Sequence, residues 1–266
     1  MYKTVVPKTE LLQKSIVSID LLRESGHAFP LKYYAFPQKG TTIVLLENTD
    51  IAISDTEIIF SKSKINQAKI LFLGKYLSPL KLVYEEFVAE IALNFSETGL
   101  HYFFPKVSNK NQIFDLEELQ WEHTKLFSEN KIQNLENLEN YLLRLYRPIA
   151  ISNVENAIRI VNENPSIQTS ELAKKVFLTE KTLNRKFQKY VGCTISKYKQ
   201  IVKFRNTIDD YFGNQSQNLT ALCHKNDYFD SPHFNKEIKR IAHFNPKDFF
   251  KNVTANGRDA YPYIFE

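Results

Sequence analysis

The 266-residue sequence predicts an α+β chain: a β-rich N-terminal part with two connecting helices, followed by an all-helical C-terminal part. Three observations predict it. Segments rich in β-branched and aromatic residues fill the chain before Phe104. The apolar spacing then changes from strand-like to helical. A helical pattern that begins at Thr179 returns about 51 residues later, at Asp230.

Thr41–Leu46, Glu57–Phe60, Ile70–Leu77 and Lys81–Phe87 have the composition of strands. Gly40, Asn48, Asp50, Asp55, Gly74 and Ser78-Pro79 supply turns between or within them. Ser96–Phe104 is expected as one short helix closed by Pro105. Asp115-Leu-Glu-Glu118 has the form of a capping box, and Leu116, Leu119, Trp121, His123 and Leu126 follow it on a first connecting helix. A second runs from about Asn134 to Tyr146, with Leu135, Leu138, Leu142 and Leu145 on one face and Pro148 as its break. That face packs against its own domain or, less favoured, against a second copy. The expected domains are therefore residues 1–148 and 149–266.

From Asn153 everything reads as helix. Val154, Ile158 and Val161 start it and Asn164-Pro165 stops it. Ser170–Val176, Thr179–Val191, about Ser196–Tyr211, Leu219–Lys225, Ser231–Ile241 and Pro246–Asn252 follow as short helices with short joints. That arrangement suits a compact DNA-binding module better than a bundle.

Charge agrees. The chain carries a formal +5, with a pI near 8.9. Before Ile151 there are 17 basic and 18 acidic residues; from Gln168 to Lys251 there are 16 basic and 8 acidic. The surplus sits in one segment, which would attract a polyanion by counterion release. Cys193 and Cys223 have no paired spacing, which points to a reducing compartment. The N-terminus lacks the apolar core of a signal peptide. The longest apolar runs, near Ile43–Leu46 and Ile70–Leu73, are far too short for a bilayer span. The expected location is cytoplasmic, with no membrane partner.

The repeat carries the functional argument. Thr179-Glu-Lys-Thr-Leu183-Asn-Arg-Lys-Phe187 has a capping residue, then apolar residues at i+4 and i+8; Asp230-Ser-Pro-His-Phe234-Asn-Lys-Glu-Ile238 repeats it. A short helix precedes each copy, with Leu172-Ala173 in the first and Leu222-Cys223 in the second. Those match at an offset of about 50, so the second copy has one extra residue, in the turn. Leu183 and Phe187 face inward, which turns Glu180, Lys181, Thr182, Asn184, Arg185 and Gln188 towards a partner. Phe234 and Ile238 do the same for Ser231, Asn235, Lys236 and Lys239. Arginine pairs bidentately with guanine, asparagine with adenine, and lysine meets guanine or phosphate, so such helices can enter a major groove.

The segment from about Asn153 to Asn252 resembles the AraC/XylS-type transcription regulators. The resemblance rests on Thr179…Leu183-x-Arg185-x-Phe187…Gly192, on Asp230-x-x-His233-Phe234…Ile238-Lys239-Arg240, and on Asn245-Pro246…Phe249. It implies two helix-turn-helix units joined by a central helix, Ser196–Tyr211, with Tyr198, Ile201, Phe204, Ile208 and Tyr211 as its buried stripe. It implies that Glu180, Lys181, Asn184 and Arg185 read one groove segment and Ser231, Asn235 and Lys236 the next. The N-terminal half, with Phe29–Phe104 and Thr98-Gly-Leu-His-Tyr-Phe-Phe104-Pro105, resembles the β-rich sensing domains of the family, a cupin-like or related small barrel. The sequence departs from the family where glycine is common: Phe177 and Asp227 stand in the interhelical turns and His243 before the last helix. Lys236 replaces a common arginine, and Pro232 occupies the first turn of its helix.

The resemblance implies double-stranded DNA as the partner. RNA polymerase, a small-molecule effector at the N-terminal domain and a second copy of the chain are further candidates. No catalytic, metal or cofactor motif is present: the six histidines have no ligand spacing, and Cys223-His224 stands without partners. Glu85-Glu86 and Asp209-Asp210 read as solvated edges. The chain is expected not to be an enzyme. The alternative is a protein-interaction or ligand-binding scaffold with a degenerate helix-turn-helix domain. The segment from about Ile151 to Glu266 is expected to fold and bind duplex DNA alone.

Overall fold

The computed structural model describes residues 2–22, 29–65, 67–105, 107, 112–115, 127, 131–213, 218–256 and 261–266. The chain divides into two compact units. One comprises Met1–Lys32, Gly40–Gly74 and Lys81–Ala150; the other comprises Tyr33–Lys39, Lys75–Leu80 and Ile151–Glu266. A β-rich N-terminal region is followed by a helical C-terminal region, as the sequence predicts.

In the first unit come β1 (Tyr2–Val5), α1 (Glu10–Gln13) and β2 (Ile16–Leu22). After β3 (Leu31–Ala35), of which Tyr33–Ala35 belongs to the second unit, follow β4 (Thr41–Glu47), β5 (Thr49–Ile53), β6 (Glu57–Lys62), β7 (Ala68–Leu73), β8 (Leu80–Tyr84) and β9 (Ala89–Phe95). A 3₁₀ turn (Gly99–Tyr102), β10 (Gln112–Asp115) and α2 (Lys131–Leu145) complete it. One sheet has the order β1-β2-β9-β4-β7-β10, antiparallel throughout. β6 pairs antiparallel with β5 and parallel with β8. Ile16, Ile19, Ile43, Leu45, Ile70, Phe72, Leu93 and Phe95 form the sheet's contribution to one apolar core. Alternate residues along a strand share a face, which is why these positions fall two apart in β4, β7 and β9; in β2 a register shift between Ile16 and Ser18 puts Ile16 and Ile19 three apart.

Leu138 and Leu142 of α2 are fully buried in that core, with Leu135 and Leu145 partly buried against it. The leucine face therefore packs on its own unit. The Glu139 carboxylate accepts from the Lys8 and Thr9 backbone N–H groups (2.9 and 3.3 Å) and from Thr9 Oγ1 (3.1 Å). It caps α1 from another helix, since the Thr9 side chain makes no capping bond. Several expectations change. Within Ser96–Phe104 only Gly99–Tyr102 is helical, as a 3₁₀ turn, the strands expected from Ile70 and Lys81 end at Leu73 and Tyr84, and Ala89–Phe95, not foreseen, is central to the sheet. Asp115 lies in a strand opposite Lys69; the rest of the expected capping box, with Leu116, Leu119, Trp121, His123 and Leu126, lies outside the described residues.

The second unit contains α3 (Ser152–Glu163), α4 (Thr169–Lys175), α5 (Glu180–Tyr190), α6 (Ile195–Gly213), α7 (Leu219–Lys225), α8 (Ser231–Ala242) and α9 (Pro246–Asn252), then β11 (Thr254–Asn256) and β12 (Tyr261–Phe265). α3 packs on α4, α5 and α6; α6 packs in turn on α7 and α8, and α8 on α9. α6 is thus common to both helical clusters. It has 19 residues, three more than expected, so it is about 28 Å long at 1.5 Å per residue. Tyr198, Ile201, Phe204 and Ile208 are buried as expected, Val202, Arg205 and Thr207 are buried too, and Tyr211 is half-buried.

Residues 151–266 do not close this core alone. Phe36 is completely buried among Phe204, Phe234, Phe249, Phe250 and Ile264. Its ring meets Phe249 edge-on at 5.0 Å. β12 pairs with Tyr33–Ala35, and Lys39 Nζ donates to Asn206 Oδ1 (3.3 Å). The expectation that the segment from Ile151 folds alone thus meets a core to which residues 33–39 also contribute. Helical periodicity reports inward faces, but it cannot reveal that a distant segment supplies one of the core rings.

Candidate nucleic-acid interface

The two turns that precede α5 and α8 are built alike. In the first, the Phe177 N–H donates to the Lys174 carbonyl (3.1 Å) and the Leu178 N–H to the Ala173 carbonyl (3.0 Å). In the second, Asp227 donates to His224 (3.4 Å) and Tyr228 to Cys223 (3.1 Å). The offset is 50 throughout. Thr179 Oγ1 then accepts from the Thr182 N–H (3.2 Å), and Asp230 Oδ1 from the His233 N–H (2.7 Å). There the offset is 51, so the extra residue of the second turn is Phe229. Each capping oxygen satisfies one of the amides that a helix start leaves without an intrahelical partner.

Left-handed backbone recurs with the same spacing. Phe177 and Asp227 have φ of 57° and 54°, and Gly192 and His243, after α5 and α8, have 83° and 60°. Of these four residues only Gly192 is a glycine. Asp tolerates this region; a bulky ring without a local hydrogen bond does so at a cost.

Leu183 and Phe187 are fully buried, as are Phe234 and Ile238 within 1 %. On α5 that leaves Glu180, Lys181, Arg185 and Gln188 exposed and Thr182 and Asn184 half-buried. On α8, Ser231, Asn235, Lys236 and Lys239 are all exposed. The fold thus brings Glu180, Lys181 and Arg185 to one face of α5 and the four candidates of α8 to another exposed face. Asn184 has a second commitment that its spacing did not reveal: its Oδ1 accepts from the Ile195 N–H at the start of α6 (3.3 Å). Bidentate pairing with adenine uses both amide atoms, so in reading a base the Asn184 carbonyl would either share its two lone pairs between Ile195 and the adenine or give up the bond to Ile195.

Supporting contacts hold the two helices in place. Tyr198 donates to Asn162 Oδ1 (2.9 Å) and meets Phe187 edge-on. Lys199 donates to the Ile167 carbonyl, and burial pulls its ammonium below the usual lysine range. Tyr228 lies against Phe234 at 5.0 Å and beside Thr207 Oγ1; burial pushes its phenol up to about 12. Asp210 receives Lys225 Nζ (2.5 Å) and Asn226 Nδ2 (2.9 Å), so this half-buried acidic residue joins α6 to α7, while Asp209 beside it is exposed. Burial raises the thiols of Cys193 and Cys223 above their ordinary range. Among the described residues no group of three His, Cys, Asp or Glu side chains could hold a metal ion, and no helix is long and apolar enough to cross a membrane.

Sequence comparison matches residues 172–252 to the helix-turn-helix domain family. No curated protein matches the chain. Among solved structures it is similar to ToxT from Vibrio cholerae: the 1.65 Å structure is 9% identical over 94% of this chain and 97% of that one, with a TM-score of 0.45. ToxT of strain O395 gives 8%, the same coverages and 0.44. Wild-type ToxT of strain SCE256 bound to an unsaturated fatty acid gives 9%, coverages of 83% and 86%, and 0.41.

Proposed function

We propose that this chain is a DNA-binding transcription regulator of the AraC/XylS type, its helix-turn-helix domain spanning residues 172–252, and that it places α5 and α8 in successive major-groove segments of one duplex. The observation that carries this reading is the duplicated turn and recognition helix on the basic segment, with Arg185 exposed on one copy and Asn235 and Lys236 on the other. α6 supports it, because a shared helix about 28 Å long can hold two recognition helices near one duplex turn apart, about 34 Å.

In this reading Glu180, Lys181, Thr182, Asn184, Arg185 and Gln188 face the first segment, and Ser231, Asn235, Lys236 and Lys239 the second. Arg185 is the principal base reader. Lys236 and Lys239 are placed to anchor phosphate, since an ammonium lacks the planar fork that reads guanine. The regulatory domain is residues 1–148 and the DNA-binding domain 149–266, with Phe36 completing the core of the latter. RNA polymerase, a small-molecule effector on the β-rich unit and a second copy of the chain are the further partners such a regulator would take, and the cytoplasm is its place of action.

Selection of bound sequences from a random duplex pool tests the reading. The full chain should enrich one asymmetric site, and its affinity should fall steeply with salt as phosphate contacts release counterions. Absence of enrichment, with salt-insensitive binding, would defeat the reading and favour a scaffold role.

A further inference from the structure

We propose that Phe177 and Phe229 are apolar DNA contacts, each set against a thymine C5-methyl group beside the recognition helix that it precedes. The inference rests on the reading above, that this unit docks on duplex DNA, and it adds two residues that no helical-face argument could supply.

Both rings stand in water. Phe177 is 92% exposed and Phe229 89%, whereas the next most exposed phenylalanines among the described residues, Phe212 and Phe265, reach 46%. A single exposed apolar side chain is ordinary. Two almost bare phenyl rings in equivalent turns of a repeat are a pattern. Neither ring contributes to a core, so folding does not account for either.

Phe177 also opposes folding locally. Its φ of 57° is a region that a bulky residue adopts at a cost, and the exposed ring recovers nothing from packing. Backbone strain of this kind gathers at functional sites. Phe229 is the one residue by which the second turn exceeds the first. The two turns therefore present an exposed phenylalanine at different places: at the left-handed position in the first, and two residues after it in the second.

Position selects the occupant. Phe177 is three residues before Glu180, the first residue of α5, so the two Cα atoms lie within about 11 Å. Phe229 is two residues before Ser231, the first of α8, within about 8 Å. The N-terminal end of a recognition helix is the end that meets base edges. A ring at that entrance meets the groove where thymine methyl groups project, and phenylalanine is one of the side chains that contact them. Exposed lysines stand nearby: Lys174 ends α4, and Lys181 and Lys236 follow on the recognition helices, while Lys175 and Lys225 are paired with Glu171 and Asp210. Such charge suits a polyanion with methyl groups on its edge better than an apolar protein face.

The test uses the full chain and the duplex that it selects from a random pool. Each thymine is replaced in turn by uracil, which deletes only the C5-methyl, and binding is repeated with Phe177→Gly and Phe229→Ser. Both substitutions spare the core, and glycine suits the backbone at position 177. The wild type should lose about fourfold at one thymine beside each turn, the worth of one buried methyl. Phe177→Gly should abolish the sensitivity at one of them and Phe229→Ser at the other. A selected site with no uracil-sensitive position, or sensitivity that survives in both variants, would overturn the proposal while leaving the regulator reading intact. So would unchanged DNA binding by the variants together with lost binding to phosphatidylserine vesicles. Failure to select any duplex would defeat the underlying reading, and this proposal with it.

Discussion

Phe177 and Asp227, fifty residues apart, hold the same left-handed backbone in the two interhelical turns, with φ of 57° and 54°. The turn geometry is thus held here without the glycine that makes it easy. Glycine enters this region without steric penalty, whereas other L-residues pay about 1–2 kcal/mol. Part of that gain is returned as unfolded-chain entropy. Phe177→Gly and His243→Gly should each stabilise the helical unit by about 0.5–1 kcal/mol, and Asp227→Gly by less, because aspartate tolerates the conformation. Urea unfolding of the three variants measures this. A loss of stability in Phe177→Gly would mean that the ring has packing partners.

The repeat was legible because it is local. Thr179 and Asp230 cap, Leu183 and Phe234 anchor, and the extra residue between the copies falls in the turn, where an insertion does not disturb a helix. The β-rich half was less legible. Ala89–Phe95 places Glu90 and Asn94 in buried positions of a central strand, so its composition lacks clean alternation and hides its β character. Glu90 is matched by the Tyr84 hydroxyl (2.7 Å) and Asn94 by Ser18, Asp20 and Thr42. Those partners come from elsewhere in the sequence. The role of Asn184 was hidden for the same reason: helical spacing turns it outward, but its carbonyl is held by Ile195 of the next helix.

Phe36 offers a direct test of the unit boundary. Its ring is fully buried among residues of α6, α8 and α9 although it lies more than a hundred positions before them. Truncating a buried phenylalanine costs about 3–5 kcal/mol. Phe36→Ala should lower the stability of the helical unit by that order and weaken DNA binding. A fragment of residues 151–266 should show a similar deficit, relieved when a peptide spanning residues 31–40 is added. An unimpaired fragment would show that the core closes without Phe36.

Asp20 carries a pH dependence whose sign can be worked out. Burial raises its carboxyl above the ordinary 3.8, outweighing the hydrogen bonds from Thr4 and Asn94 that act the other way. A raised folded value means that the protonated form is favoured on folding. The stability it contributes is full below about 3.8 and is lost as pH rises through the folded value. Asp20→Asn keeps an acceptor for Asn94 Nδ2, which lies 2.6 Å from Asp20 Oδ2, and removes the charge. The variant should be more stable than the wild type at neutral pH, and the difference should vanish in acid. Thermal unfolding across that range checks it, and a constant difference would exclude titration of Asp20 as the cause.

Arg185 and Asn184 are neighbours on α5 with separable roles. Arg185 is exposed on the face left by buried Leu183 and Phe187, so its removal leaves the core intact. Arg185→Ala should leave urea unfolding unchanged, and should relax base preference at one position by about 1–3 kcal/mol. Lys189, a turn later, has its ammonium 4.9 Å from the centre of the Tyr190 ring; Lys189→Ala should weaken binding uniformly across sequences and shallow the salt slope. Asn184→Ala removes the acceptor of the Ile195 N–H and leaves a helix-start amide without it, which costs about 1 kcal/mol. Its loss should therefore appear first in stability, with an effect on DNA binding that follows from displacement of α6 and spreads over both half-contacts. Base-substitution binding profiles on the selected duplex separate the three variants. Equal, sequence-independent losses for Arg185→Ala and Lys189→Ala would remove Arg185 as the base reader. A sharp loss at a single adenine in Asn184→Ala, with stability untouched, would make Asn184 a base reader that shares or gives up its bond to Ile195 on binding.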